Sequence, residues 1–266
     1  MEIKLDHVTY KHNIYSDDKF FNDISLNIEG NTICGIIGKS GCGKTTLLEI
    51  LGGLNKPVSG KVLIDSFSVE RCRKDIGFLF QFPEKQFFEV TVGKEIEFAC
   101  KNYHIKRRKV LEVIKLVGLN ASILDKKIKV LSNGEKRLVA LASILVYNPK
   151  IILLDEPTIG LDYKNKKKVI NIIKNLKNRY EKTIIIVSHE IDLLYELCDN
   201  LIVLSDGKII LYGYPESIYN EEKIIKEYDI TMPKVLLFEN IAREKGIKLL
   251  KSKSINDLIK EVYRNV

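Results

Sequence analysis

A glycine-rich loop at residues 38–45, with the sequence GKSGCGKT, constrains this chain more than any other segment. It fits the pattern G-x-x-x-x-G-K-[ST], follows the apolar segment 32–37 and precedes the helix-forming segment 46–51. A loop that leads from a strand into a helix presents backbone N–H groups and the positive end of the helix dipole to an anion. We therefore predict a phosphate site formed by Gly38, Lys39, Ser40, Gly41, Cys42, Gly43, Lys44, Thr45 and Thr46.

The residue types of this loop indicate a nucleotide phosphate. Its glycines let the backbone approach phosphate oxygens closely. Lys44 is placed to reach the β- and γ-phosphates, and the Thr45 hydroxyl is placed to bind Mg²⁺. An ordinary glycine-rich turn is the alternative, but it would not require a strand, a loop and a helix in this order.

Two adjacent carboxylates, Asp155 and Glu156, follow the apolar segment 151–154. An apolar run of this length between two prolines is typical of a fully buried strand. Buried carboxylates are costly unless cations or hydrogen-bond donors compensate them. We therefore predict that Asp155 holds Mg²⁺, directly or through water, and that Glu156 is the general base that polarises the attacking water.

Further motifs resemble those of the ATP-binding cassette ATPases. The sequence LSNGE at 131–135 resembles the LSGGQ signature of that family, and Gln81 matches its Q-loop glutamine. His189 matches its switch histidine, and Gly-Leu-Asp at 160–162 resembles its D-loop. All of these motifs occur in the family's order, and the resemblance covers roughly residues 1–215.

The resemblance implies an α/β fold, namely a P-loop ATP-binding cassette with an antiparallel β subdomain, an inserted helical subdomain and a small C-terminal helical extension. We expect the cassette to span 1–215, with the helical subdomain at 82–145, and the extension to span 216–266. Alternation of strand-like and helix-like segments independently indicates a largely parallel sheet.

Local patterns add finer expectations. We predict a helix over 166–179 and a buried strand over 183–187. We also predict a hairpin over 201–211 that turns at Asp206-Gly207, a favoured type I′ pair. In the tail we predict two helices, over 233–245 and 254–264, the second with a capping-box-like start. About 50 residues are too few for an independent core, so the tail should pack on the cassette or on a second subunit.

The segment 80–92, FQFPEKQFFEVTV, resembles the Q-loop segment of the energy-coupling factor ATPases, which serve importers of vitamins and of transition metals such as cobalt and nickel. We therefore interpret the chain as the ATP-hydrolysing subunit of such an importer. The alternatives are an ATPase of another importer class and a cassette ATPase outside transport. Long coiled coils or added DNA-binding domains, typical of the chromosome-maintenance members, have no room in this chain.

Family resemblance implies that ATP and Mg²⁺ are the ligands. His189 would sense the γ-phosphate and steady the transition state beside the base Glu156, so these two are the predicted catalytic residues. Tyr10 lies where the family places its adenine-stacking aromatic residue, although a strand-end tyrosine packed on the core would give the same pattern. The residues expected to contact Mg²⁺ are Thr45, Gln81 and Asp155.

In this family, two chains sandwich two nucleotides, and Ser132 and Gly134 of the facing chain would close over the phosphates. Asn133 replaces the first glycine of the LSGGQ pattern, and Glu135 replaces its glutamine. The added negative charge could weaken closure of two identical chains. We therefore favour a heterodimer with a second cassette subunit, with a homodimer as the open alternative.

The other expected partners are a transmembrane coupling protein and a substrate-binding membrane protein, which would place this chain at the cytoplasmic face of the cell membrane as a peripheral protein. The aromatic residues Phe82, Phe87 and Phe88 would form either a docking surface for such a partner or part of the subdomain core. Substrate selection belongs to the membrane proteins, so the sequence does not identify the solute.

Composition supports few other functions. The net charge is +8, but no long basic tract is interleaved with aromatic residues, so we expect no nucleic-acid partner and interpret the basic segment 101–109 as a solvated helical face. Five scattered cysteines without a C-x-x-C pair argue against disulfides or a zinc site. Cys42 lies near a helix N-terminus, which predicts a lowered thiol pKa and inactivation by thiol reagents.

Overall fold

Two sheets, one mainly parallel and one antiparallel, position the glycine-rich loop. The structure is a computed structural model that describes residues 1–13, 15, 19–247 and 249–265. The strands are β1 (Ile3–Tyr10), β2 (Phe21–Ile28), β3 (Ile33–Ile37), β4 (Ser59–Ile64), β5 (Phe67–Ser68), β6 (Ile76–Leu79), β7 (Ile151–Asp155), β8 (Thr183–Val187), β9 (Asn200–Ser205) and β10 (Lys208–Gly213). The α-helices are α1 (Lys44–Leu51), α2 (Val92–Asn102), α3 (Lys109–Leu116), α4 (Asn133–Leu145), α5 (Tyr163–Tyr180), α6 (Ile191–Leu197), α7 (Pro215–Tyr219), α8 (Glu222–Glu227), α9 (Lys234–Glu244) and α10 (Ile255–Asn265).

The larger sheet has the order β10-β9-β3-β8-β7-β6 and is parallel except for β10. Every residue of β3, β7 and β8 is buried, because helices or the second sheet cover both of their faces. These strands are rich in isoleucine and leucine without alternation, as their double burial requires. The carboxyl ends of β3 and β7 lie at one edge, where the loop and the carboxylates meet.

The smaller sheet is antiparallel, with the order β2-β1-β4-β5, and packs over α1. Alternating side chains of β1 and β2 face inward, and the core between the two sheets includes Phe21 and Leu48. The fold is therefore the expected α/β cassette with an antiparallel subdomain.

The segment 82–145 contains α2, α3 and α4, together with the short 3₁₀ turns Pro83–Lys85, Ala121–Asp125 and Ile128–Val130. The expected mostly helical character is confirmed, while the subdomain boundary itself stays a prediction. The basic segment 101–109 is exposed, but it is mainly the connection between α2 and α3 rather than a helical face, so that detail was wrong.

Local predictions elsewhere agree with the structure. The strand at 183–187 is confirmed, and the hairpin of β9 and β10 turns at Asp206 and Gly207, whose φ angles of 44° and 69° are both positive, as a type I′ turn requires. Both predicted tail helices are present as α9 and α10, but α7 and α8 were missed because five and six residues are too short to show a helical period.

The tail packs on the cassette, because Ile218 and Tyr219 of α7 and Ile225 of α8 are buried in the same core as the larger sheet. The backbone N–H of Lys234, at the start of α9, donates to Asp192 of α6 at 2.7 Å. Within the tail, Lys253 pairs with Glu216 at 3.2 Å. The described residues contain no helix that is both long and apolar enough to cross a membrane.

Candidate nucleotide site

The glycine-rich loop wraps around the Lys44 side chain. Lys44 Nζ donates to the carbonyl oxygens of Gly38 and Lys39 at 2.8 and 2.9 Å, so the ammonium group is held inside the loop. Gly43 precedes α1 with a φ of 103°, and a Cβ atom there would lie 2.4 Å from the Phe20 ring. Only glycine fits this position, which brings the helix N-terminus up to the cleft.

Thr45 and Asp155 form a pair of oxygen donors at the foot of the loop. Thr45 Oγ1 donates to Asp155 Oδ2 at 3.0 Å, and Asp155 is buried at the end of β7. Burial raises the pKa of Asp155, although the Thr45 hydroxyl and the Lys44 ammonium group oppose this shift. A hydroxyl and a carboxylate, with a substrate phosphate, are the kind of ligands that Mg²⁺ takes in nucleotide sites.

Glu156 follows with an unusual backbone, since its φ is 48° and its N–H donates to the Val187 carbonyl at 2.9 Å. One carboxylate oxygen accepts from Ser188 Oγ at 3.3 Å. The other, Oε1, is buried, makes no hydrogen bond to any residue that the structure describes, and lies 3.6 Å from His189 Nε2. Burial raises the pKa of Glu156, and burial together with the Lys44 charge lowers the pKa of His189.

These residues line one cleft of about 350 Å³. The predicted residues on its wall are Ser40, Gly41, Gly43, Lys44, Thr45, Thr46, Gln81, Asp155, Glu156 and His189. The remaining wall residues are His12, Phe20 and Val187. Segments separated by more than a hundred residues therefore converge on a pocket that combines phosphate-binding, acidic and imidazole groups.

Some predicted residues lie beside this wall rather than on it. Gly38 and Lys39 contribute the carbonyl oxygens that hold Lys44, and the Lys39 side chain pairs with Asp229 at 3.4 Å. The Tyr10 ring packs edge-on against His12, with centroids 5.3 Å apart, and His12 in turn contacts Phe20 at 4.5 Å. The aromatic groups on the wall are thus His12 and Phe20, with Tyr10 behind them.

The predicted low pKa of Cys42 is wrong. The side chain is 6% exposed and packs in the core between the sheets. Burial raises the pKa of the thiol and outweighs the opposite influence of Lys44 and of the nearby backbone N–H groups. Cys42 belongs to the loop through its backbone, and its thiol is not an activated nucleophile.

Gln81 is tied to α4 through its backbone. The buried Arg137 guanidinium donates to the Gln81 carbonyl at 3.0 Å and to the Phe80 carbonyl at 3.4 Å. The start of α4 and the segment that carries Gln81 therefore share a buried polar contact.

The signature-like segment lies away from this chain's own cleft wall. Ser132 is the N-cap of α4 and accepts from the Glu135 N–H at 3.2 Å, while the Glu135 carboxylate accepts from the Ser132 N–H at 2.9 Å. This reciprocal arrangement is a capping box. Lys126 lies 3.5 Å from Glu135, and the bond to the Ser132 N–H lowers the pKa of the Glu135 carboxyl.

A second groove, of about 430 Å³, lies between the larger sheet and α2. Phe88 on its wall is 78% exposed, and Phe82 nearby is half exposed, whereas Phe87 packs against the core. Glu95 accepts from the N–H groups of Phe88 and Glu89 at 2.9 and 2.8 Å, which fixes this segment. Phe87 is thus part of the core, whereas Phe82 and Phe88 are exposed, and a docking role for them stays a prediction.

The geometry is that of a nucleotide-hydrolysing cassette, and a family model described as "ABC transporter" matches residues 21–159, which is 139 of the 266 residues. The chain belongs to the ABC transporter family. The energy-coupling factor transporter ATP-binding protein EcfA2 of Caldanaerobacter subterraneus subsp. tengcongensis is 35% identical over 94% of this chain and 92% of its own length.

Solved structures of other ABC proteins have the same fold. The cbiO1 protein from Clostridium perfringens, part of the ABC transporter complex cbiONQ, aligns with a TM-score of 0.73 at 32% identity, over 89% of this chain and 98% of its own. The ATP-binding cassette MJ0796, in a dimeric post-hydrolysis structure bound to ADP and Pi, aligns with a TM-score of 0.72 at 30% identity, over 80% of this chain and 98% of its own.

Sequence reasoning missed three side chains at the cleft of this ABC protein. His12 and Phe20 lie near the two ends of the connection between β1 and β2, and no motif marks them. An aromatic residue just before β2 was the available signal for Phe20. Ser188 carries no pattern of its own, although its position before His189 places it at the carboxyl end of β8.

Proposed function

We propose that this ABC-family chain hydrolyses ATP and serves as the ATP-binding subunit of an energy-coupling factor importer for a vitamin or a transition-metal ion. The convergence of the Lys44 loop, the Thr45–Asp155 pair and the Glu156–His189 pair in one cleft carries the proposal. Extensive similarity to EcfA2 supports the importer class.

Binding of the nucleotide would begin with Lys44. Its ammonium group now donates to two loop carbonyls, and phosphate oxygens of ATP can replace them as acceptors at the N-terminus of α1. We propose that adenine stacks on the cluster of Tyr10, His12 and Phe20, because base–aromatic stacking accepts any flat ring face. Ser40, Gly41 and Thr46 would complete the phosphate contacts.

Thr45 and Asp155 fit a Mg²⁺ ion, and Gln81 on the same wall offers a third oxygen ligand. When bound, Mg²⁺ would supply charge neutralisation on the phosphoryl group. Glu156 Oε1 would accept a proton from the attacking water, since this carboxylate oxygen makes no hydrogen bond to the described residues. His189 would donate from its ring to the γ-phosphate.

Closure would bring a second cassette over the nucleotide, with Ser132 and Gly134 of one chain facing the phosphates of the other. A γ-phosphate held between two surfaces bridges them, and hydrolysis removes the bridge. The Glu135 carboxylate caps α4 and lies close to the Lys126 ammonium group. Its negative charge therefore opposes closure less than the altered signature alone suggests. A heterodimer is still our preferred assembly.

Membrane partners would use two surfaces. A helix of the transmembrane coupling protein would fit the groove beside Phe88, whose ring is exposed to receive it. The tail presents exposed apolar side chains of α9 and α10 that suit a subunit contact, namely Leu237, Phe238, Ile241, Ile255 and Ile259. The chain would then lie at the cytoplasmic face of the membrane without crossing it, beside a separate substrate-binding protein.

The proposal is tested by the solution mass of Glu156→Gln protein with and without MgATP, measured by light scattering. A shift from monomer to dimer would show that the chain closes on itself despite Asn133 and Glu135. A monomer that binds ATP would indicate an obligatory second cassette, which a tagged chain should co-purify together with membrane proteins. Lys44→Ala is the control that should not bind ATP. If Glu156→Gln binds ATP no better than Lys44→Ala does, the proposed function is contradicted.

A further inference from the structure

Ser188 lies between the two groups that the proposed chemistry uses, and its hydroxyl has a defined direction. Its side chain is buried, with Oγ 3.3 Å from Glu156 Oε2 and 3.1 Å from the backbone N of Glu190. A backbone N–H only donates, so the Ser188 oxygen accepts from Glu190. The single hydroxyl proton is then available to donate to the Glu156 carboxylate.

Glu190 is itself held from two sides. Thr158 Oγ1 donates to Glu190 Oε1 at 2.6 Å, and the Lys166 ammonium group pairs with Glu190 Oε2. Thr158 lies two residues after Glu156 and is buried, whereas Lys166 lies in the first turn of α5. The N–H that bonds Ser188 is therefore fixed by side chains from two other parts of the fold.

Glu156 needs such support because its backbone is in the left-handed region, with a φ of 48°, where a non-glycine residue is strained. Its Oε2 is occupied by Ser188, and its Oε1 is left 3.6 Å from His189 Nε2. A half-turn of the carboxylate only exchanges two equivalent oxygens, but any smaller rotation would break the bond to Ser188. The Ser188 hydroxyl, together with the backbone N–H of His189, therefore fixes the plane of the carboxylate, so that one oxygen is bonded to Ser188 and the other is presented for chemistry.

We propose that Ser188 is a positioning residue for ATP hydrolysis, which holds Glu156 Oε2 so that Oε1 faces the attacking water, and that Glu190 keeps Ser188 in place. This inference rests on the proposed ATPase function. A misplaced general base lowers the rate of the chemical step and leaves ground-state binding of ATP almost unchanged.

Ser188→Ala should therefore lower kcat for phosphate release by about 10- to 100-fold, the range for one lost hydrogen bond to a charged group. The KM for ATP should stay within about twofold, since no group that contacts ATP is removed. Ser188→Thr, which keeps the hydroxyl, should recover most of the rate. Ser143→Ala is the matched control, because Ser143 is also buried and its hydroxyl donates to the Ala140 carbonyl of its own helix, at 2.9 Å.

The decisive measurement repeats Ser188→Ala in a Glu156→Gln background under single-turnover conditions. If Ser188 acts through Glu156, the double variant and Glu156→Gln alone should have the same rate, within about twofold. An equal loss in both backgrounds would show a merely structural role and overturn the inference, as would a Ser188→Ala kcat equal to that of the wild type.

Glu190→Ala provides a second route if Ser188→Ala does not fold, as judged by thermal melting. Glu190→Ala should lower kcat in the wild-type background and should not lower the rate further in the Glu156→Gln background. A lower rate in both backgrounds would again overturn the inference. All of these rates are measured on the chain as it is purified with its second cassette, where one co-purifies. Failure of the proposed function gives a different pattern, because neither the wild type nor Ser143→Ala would then release phosphate from ATP.

Discussion

Replacement of Thr45 by alanine tests the pair of oxygen donors at the foot of the loop. The Thr45 hydroxyl donates to Asp155 at 3.0 Å, and Asp155 is only 3% exposed. Removal of this donor leaves a buried carboxylate oxygen without its partner. Thr45 itself is exposed, so loss of its methyl group should contribute little.

The expected cost follows from these two facts. A buried acceptor that loses its donor costs about 1–3 kcal/mol, and the lower end applies because water can enter from the open cleft. For a chain of this size, about 1 kcal/mol corresponds to a decrease in Tm of roughly 2–4 °C. Thr45→Ser, which retains the hydroxyl, should melt within about 1 °C of the wild type.

The same variants test the proposed role in binding Mg²⁺. ATP at a hundredfold excess over its Kd stabilises a protein by about 2.7 kcal/mol. Scanning fluorimetry with ATP in Mg²⁺, compared with ATP in EDTA, isolates the contribution of the metal. Thr45→Ala should lose most of that contribution, and Thr45→Ser should keep it. An Mg²⁺-dependent shift in Thr45→Ala as large as that of the wild type would refute the assignment of Thr45 as a metal ligand.

Three further predictions concern the same cleft. Lys44→Ala should weaken ATP binding in a titration, because phosphate loses its ammonium partner, and an unchanged Kd would count against the phosphate site. Glu156→Gln should retain ATP binding and lower turnover by about 10²–10⁴, the range for a lost general base, so near-normal phosphate release would exclude Glu156 from that role. Cys42 should react with iodoacetamide more slowly in the folded chain than in urea, because burial both shields the thiol and raises its pKa. Mass spectrometry with Cys42→Ala as control checks this, and fast labelling of the folded chain would contradict it.

Those parts of the fold that depend on neighbours in the chain were predictable from the sequence. The strand Thr183–Val187 is a bounded apolar run, and the turn at Asp206-Gly207 is set by two residues that accept positive φ. Helix α5 begins three residues earlier than predicted, because Asp162 caps it by accepting from the Asn165 N–H at 2.8 Å. Helix boundaries of this kind depend on a capping contact of one side chain, which the spacing of apolar residues does not reveal.

Other features depend on residues far apart in the sequence. The position of Cys42 near a helix N-terminus suggested a low thiol pKa. Instead, the packing of the two sheets buries the thiol and raises its pKa. The family resemblance indicated Tyr10 for adenine, and this stays a prediction. The structure adds His12 and Phe20, which come from the connection to the next strand and lie on the wall in front of Tyr10. The bond between Ser188 and Glu156 joins the ends of two strands and has no signature in either segment.

The capping box at the start of α4 affects how much entropy the Ser132 side chain would lose when two cassettes assemble. Ser132 Oγ accepts from the Glu135 N–H, and its own proton lies within reach of the Glu135 carboxylate, from which it can be redirected to an oxygen outside the chain. Because the carboxylate fixes the Ser132 backbone in return, the hydroxyl is held in place before any partner arrives. Little side-chain entropy would then be lost when the nucleotide of a facing chain docks. Glu135, which departs from the usual signature, would thus preorganise Ser132 for binding.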